Sequence, residues 1–219
     1  MPNILPVIRI DGGWHGLWNN IHAKGHNAWD VYLNLFERYT EVHRYYHRFP
    51  HVMRMLKEFE QVKHLCVNPH AVEMSLWCGR AIYRLNENHN EEKSAVFIEE
   101  IMYYARVDEM LINEVTRLIL LTKKNETSQK DHDGALRLDI ELAVLGSSPE
   151  VFSQYERGIE KEYDYVRISR DTFISERKKM LIELIQRKSI YHTEHFRERY
   201  EEQAEKNLMR SLEQLASGV

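Results

Sequence analysis

An all-α fold is predicted, and three observations predict it. Apolar residues recur at three- and four-residue spacing through most of the chain. Helix-start signals recur between those segments, and period-two alternation is confined to Val7-Ile8-Arg9-Ile10. The chain has 219 residues, enough to bury one sizeable core, and nothing in it demands a second domain. The expected organisation is an irregular N-terminal arm over residues 1–25 and a single compact multi-helix domain over residues 26–219.

In the arm, Pro2, Pro6, Gly12, Gly13, Gly16 and Gly25 argue against regular structure, and Trp14 and Trp18 are expected to pin it to the body. From Ala28 a helix carries Trp29, Tyr32, Leu33, Phe36 and Tyr39 on one face. Pro50 interrupts or restarts it, leaving His51 near the start of a helix that turns Val52, Met55, Leu56 and Phe59 inward. Asn68 as cap and Pro69 as first helical residue open a segment through Ala71, Met74, Leu76, Trp77 and Ile82, around which the rest is expected to be built. A helix from about Asn90 to Ala105 follows, and Asp108 caps the next, which bears Met110, Leu111, Val115, Leu118 and Leu121. Thr122 to Asp133 is polar and reads as a mobile surface loop. Further helices are expected from Leu136 to Val144, after Ser148-Pro149, over Asp171 to Arg187, and from Thr193 to about Leu215.

A formal net charge of -4 excludes a general nucleic-acid binder, which would show a basic excess. No run is long enough to cross a membrane, no signal-peptide pattern opens the chain, and Cys66 and Cys78 form neither a metal-type pair nor a disulfide framework. A cytoplasmic protein is expected. There is no Gly-rich phosphate loop, no G-x-S-x-G and no H-E-x-x-H. His43, His47 and His51 recur every four residues, but Pro50 breaks the helix that would stack them. They read either as ligand contacts or as helix-end histidines bonded to backbone and solvent. Cys78 with His47 and His51 reads either as a replacement zinc site or, more commonly for cysteine, as a small buried hydrophobe.

Five motifs stand in order: Tyr39 to His51 (YTEVHRYYHRFPH), Trp77 to Ala95 (WCGRAIYRLNENHNEEKSA), Leu138 to Gly146 (LDIELAVLG), Glu162-Tyr163 with Tyr165-Val166, and Ile190 to Thr193 (IYHT). In content and spacing they resemble the HD-domain superfamily of metal-dependent phosphohydrolases, in its branch of small predicted enzymes, over about Trp29 to Leu212. The resemblance implies a site in which one histidine, an adjacent His-Asp pair and a distal aspartate hold a divalent metal. That metal would activate water for attack on phosphorus. On this resemblance the histidine falls on His51, the pair on Gly79 and Arg80, and the aspartate on Glu141. His51 and Glu141 are therefore vestigial ligands, insufficient alone. No cofactor is predicted; Mn, Fe, Co, Ni, Zn or Mg belongs only to an active-enzyme reading.

Arginine brings a permanent cation and no lone pair to a carboxylate's place. Two unit charges a few ångströms apart repel by roughly 4 kcal/mol at an effective dielectric near 20. Arg80 is accordingly expected to pair with Glu141 or Asp139, and Gly79→His with Arg80→Asp to recover metal affinity. The pocket is expected to include His47, Arg80, Arg84 and Asp139, with Lys123 and Lys124 closing over an anion from the polar loop. The expected function is that of a catalytically impaired HD homologue, an anion- or nucleotide-binding or regulatory protein, with a small phosphorylated or nucleotide ligand as its expected partner. Two alternatives are an active phosphohydrolase with a rearranged site and a structural or interaction protein.

Overall fold

A computed structural model describes the backbone of residues 5–217 and the side chains of residues 13–217. The described residues form ten α-helices and two 3-10 turns, with no strand, as the periodicity predicts. The chain divides into two compact units: residues 1–41 with 47–137, and residues 42–46 with 138–219.

The first unit contains α1 (Leu5–Asn20), α2 (Ala28–Tyr39), α3 (Phe49–Val62), α4 (Pro69–Cys78), α5 (Asn90–Tyr104), α6 (Glu109–Leu121) and the first half of α7 (His132–Leu142). Its centre is α4. Asn68 Oδ1 accepts the Ala71 amide at 3.1 Å and Pro69 supplies the first turn, so the helix starts where the cap signal puts it. Every residue from Ala71 to Cys78 is buried, with α1, α3, α5 and α6 packed around it. Asp133, at the start of α7, accepts the amides of Val67 and Asn68 at 2.8 and 2.7 Å and fixes the entry to α4. The helix ends at Cys78, four residues before Ile82, where the Gly79 amide closes on Ser75 O at 2.9 Å.

The expected irregular arm is corrected over Leu5–Asn20, which is helical and includes Val7 to Ile10. A glycine inside a helix costs about 1 kcal/mol relative to alanine. That penalty is offset because Trp14, Leu17, Trp18 and Ile21 fall at helical spacing and are all buried. Trp14 does pin the segment: its Nε1 donates to Ala28 O at 2.7 Å, and its ring meets Trp77 edge-on at 5.5 Å. The buried face of α2 is also rotated from expectation, toward Val31 and Leu35. Trp29, Leu33 and Phe36 lie at its margin, where Trp29 stacks on Tyr32 and Phe36 meets Phe49 at 5.2 Å. Pro50 sits in the first turn of α3, so His51 begins that helix while His43 and His47 precede it.

The second unit contains the rest of α7, the 3-10 turn Ala143–Gly146, α8 (Pro149–Tyr165), α9 (Arg170–Ile185) and α10 (Glu194–Ser217). The 3-10 turn lies under α10. A Cβ on Gly146 would come 2.5 Å from Tyr200 Cβ, so only glycine admits this approach. Buried Asn207 holds the turn by donating from Nδ2 to Leu145 O and Ser147 O, both at 2.8 Å. Glu162 Oε1, on α8, accepts the amides of Tyr45 and Tyr46 at 2.9 and 2.8 Å, which anchors residues 42–46. Ser148 precedes α8 as expected, although its side chain makes no cap bond to the helix amides. No helix among the described residues is long and apolar enough to cross a membrane.

Candidate functional site

In the first unit the segment after α4 is where the resemblance puts the His-Asp pair. Gly79 has an ordinary helical conformation (φ -60°, ψ -22°), so it is not there for backbone freedom. Space is the reason. A Cβ would lie 2.7 Å from Arg137 Nη2 and 2.7 Å from Ser75 O, closer than real Cβ atoms come to anything. Arg137 is fully buried, so its guanidinium packs against the bare Cα of Gly79 in the interior of the unit.

Arg80 is partly buried, and its Nη1 is bonded to Glu91 Oε1 on α5. The acid that Arg80 takes within its own unit is thus in the Asn90 to Ala95 stretch (NEEKSA) that ends the Trp77 to Ala95 motif. The other members of that stretch are also committed. Asn90 Oδ1 accepts the Arg84 amide at 2.9 Å, and its Nδ2 donates to Arg84 O at 2.8 Å. Ser94 Oγ accepts the Ile82 amide at 3.0 Å and donates to Ile82 O at 3.1 Å. Glu92 is bonded to Lys123, a residue expected to face an anion. The stretch therefore clamps the irregular residues 79–89, which have no helix ladder to satisfy their backbone.

Arg84 reaches back to Glu41 Oε1 at 2.9 Å. Above this segment the His47 ring lies 4.2 Å from the Tyr83 ring and 5.6 Å from that of His51, whose side chain is only 3% exposed. His47, His51, Tyr83 and the Gly79–Arg84 segment thus belong to one unit, with Arg137 beneath Gly79. Lys124 is exposed on the polar loop. The far end of that loop is held by Asp131, which pairs with Arg117 and accepts Thr127 Oγ1 at 2.7 Å.

Asp139 and Glu141 lie in the second unit on α7. Asp139 is fully buried and accepts the amides of His192 and Thr193 at 2.8 Å each, plus Thr193 Oγ1 at 2.7 Å. Burial pushes its carboxyl above the usual range, against the downward pull of those three bonds. Ile190 and Tyr191 donate their amides to Glu201, and Tyr191 OH donates to Leu142 O at 3.1 Å. The Ile190-Tyr191-His192-Thr193 motif is therefore the crossing between α9 and α10, tied down by two carboxylates.

Among the described residues no group of three or more His, Cys, Asp or Glu side chains is placed to hold a metal ion. Gly79 supplies no donor, and a guanidinium lies where a side chain there would begin. Cys78 is fully buried, with Sγ 3.8 Å from Met74 Sδ, and burial pushes its thiol far above the ordinary range. Arg137 was the residue sequence reasoning missed. Its only signal was an arginine between Leu136 and Leu138.

The fold and site define an all-helical protein whose motif residues clamp loops and crossings. No protein-family model matches the chain, and neither a curated protein nor a solved structure matches it.

Proposed function

We propose that this chain is a relative of the HD-domain phosphohydrolases whose metal site has degraded, and that it binds a small phosphorylated or nucleotide ligand without hydrolysing it. One observation carries the reading: the Arg137 guanidinium packed on Gly79, a fixed cation beside the position where the resemblance puts a metal-ligating histidine. A cation held in a low-dielectric interior favours anions and opposes a second cation. His47, Arg80 and Arg84 are the partly exposed polar groups of the same unit that would meet such a ligand from solvent. A structural protein with a filled-in site is the second reading, favoured by the complete burial of Arg137.

Thermal unfolding across a panel of nucleotides and inorganic phosphate separates the two. A ligand that binds only the native state at a hundred times its Kd stabilises by about 2.7 kcal/mol. The binding reading expects such a rise with at least one nucleotide, diminished in Arg84→Gln, with the nucleotide recovered intact. No rise with any anion favours the structural reading, and release of phosphate dependent on added metal supports the enzyme.

A further inference from the structure

A second groove lies elsewhere, on the helical hairpin of α5 and α6. It has a volume of about 980 Å³, and its floor is Val107 and Ile112, which are buried. Val96, Glu99, Glu100 and Tyr103 line one wall at positions i, i+3, i+4 and i+7 of α5. Glu109 and Asn113 line the other. Two exposed aromatic side chains line it: Tyr103 is 70% exposed and Tyr104 66%. The two tyrosine rings stand edge to face, with centroids 5.5 Å apart, and the ring of His26 backs Tyr104. Exposed aromatic side chains gathered at one concavity are the usual mark of a docking surface.

Charge says what docks there. From Asn90 to Leu121 the chain has seven acidic and three basic residues, so this hairpin alone accounts for the whole formal charge of -4. Glu99, Glu100 and Glu109 make no ion pair among the described residues, and Arg106 is the one base lining the groove. Nucleic acid and anionic lipid surfaces are both repelled by such a rim. The wall from Val96 to Tyr103 runs for about 10 Å, the length of two helical turns.

We propose that the α5–α6 groove docks a basic amphipathic helix of a partner protein. The apolar face of that helix lies on Val96, Tyr103 and Tyr104, and its lysines or arginines meet Glu99, Glu100 and Glu109. The proposal is independent of the phosphate-ligand reading. The test uses two synthetic labelled peptides of about 15 residues, one of leucine and lysine in helical pattern, the other of leucine and glutamate. Fluorescence anisotropy is measured with the wild-type chain and two variants: Glu99→Lys/Glu100→Lys/Glu109→Lys and Tyr103→Ser/Tyr104→Ser. Every substituted side chain is exposed, so both variants should keep the wild-type melting temperature. The lysine peptide binds with strong salt dependence, the glutamate peptide does not, and each variant weakens binding by about tenfold or more. Equal binding of the two peptides overturns the proposal, as does binding that the tyrosine variant leaves unchanged. Sedimentation showing a dimer that the tyrosine variant dissolves overturns it too, by assigning the groove to a second copy of this chain.

Discussion

Gly79→Ala is the substitution whose sign the structure decides. Its φ of -60° and ψ of -22° suit alanine. On backbone grounds alone, replacing glycine at such a position stabilises by about 0.4–1 kcal/mol, because the unfolded chain loses freedom. Against this stands the added methyl, 2.7 Å from both Arg137 Nη2 and Ser75 O. One contact is the end of a long side chain fully enclosed by its neighbours; the other is backbone at the buried end of α4. Neither relaxes freely, and overpacking of this kind costs about 1–3 kcal/mol. Gly79→Ala should therefore destabilise by about 1–2 kcal/mol, read as a lower urea midpoint at unchanged slope. A double cycle with Arg137→Met should return a coupling of about 0.5 kcal/mol or more, because the methyl then loses one of its two clashes. Gly79→Ala as stable as the wild type, or more so, would refute the packing of the guanidinium on this glycine.

Metal affinity expected of Gly79→His with Arg80→Asp is revised by the same geometry: the double variant should bind no Mn²⁺ in calorimetry, since Arg137 occupies the histidine's space, and tight binding by it would contradict this. Asp139→Asn keeps the shape but weakens three bonds at His192 and Thr193; a loss of about 2–4 kcal/mol in denaturation is expected, and a change below about 0.5 kcal/mol would show the crossing does not depend on that charge. The Cys66 thiol is pushed up to about 12, chiefly by burial and then by Asp133, and Cys78 is raised by burial. Both stay protonated near neutrality, so native protein at pH 8 should resist iodoacetamide far longer than a free thiol, with alkylation rising only on unfolding. Rapid native labelling of either would place a thiolate where the structure has none.

Elements with a side-chain cap were legible in the sequence. Asn68-Pro69 and Asp108 marked the starts of α4 and α6, because cap chemistry is local and the partner amides are two or three residues away. α1 was not, because three glycines spoke against a helix while the burial that offsets them depends on Ala28 and Trp77, distant in sequence. Asn90 and Ser94 in the first unit, and Asp139 and Glu162 in the second, could be singled out as motif residues. What they do could not, since each bonds backbone amides that no spacing rule connects to it: Glu162 reaches Tyr45, more than a hundred residues earlier. Glu91 as the partner of Arg80, and Arg137 as the neighbour of Gly79, were hidden for the same reason.

Metal content is the most direct test of the account. The chain is purified without chelators, dialysed against buffer carrying Mn²⁺ and Zn²⁺, and analysed by plasma mass spectrometry beside His51→Ala and Glu141→Ala variants. The account predicts far less than stoichiometric metal in the wild type and no difference between it and either variant. Near-stoichiometric metal in the wild type, lost from both variants, would contradict it and restore a working metal centre.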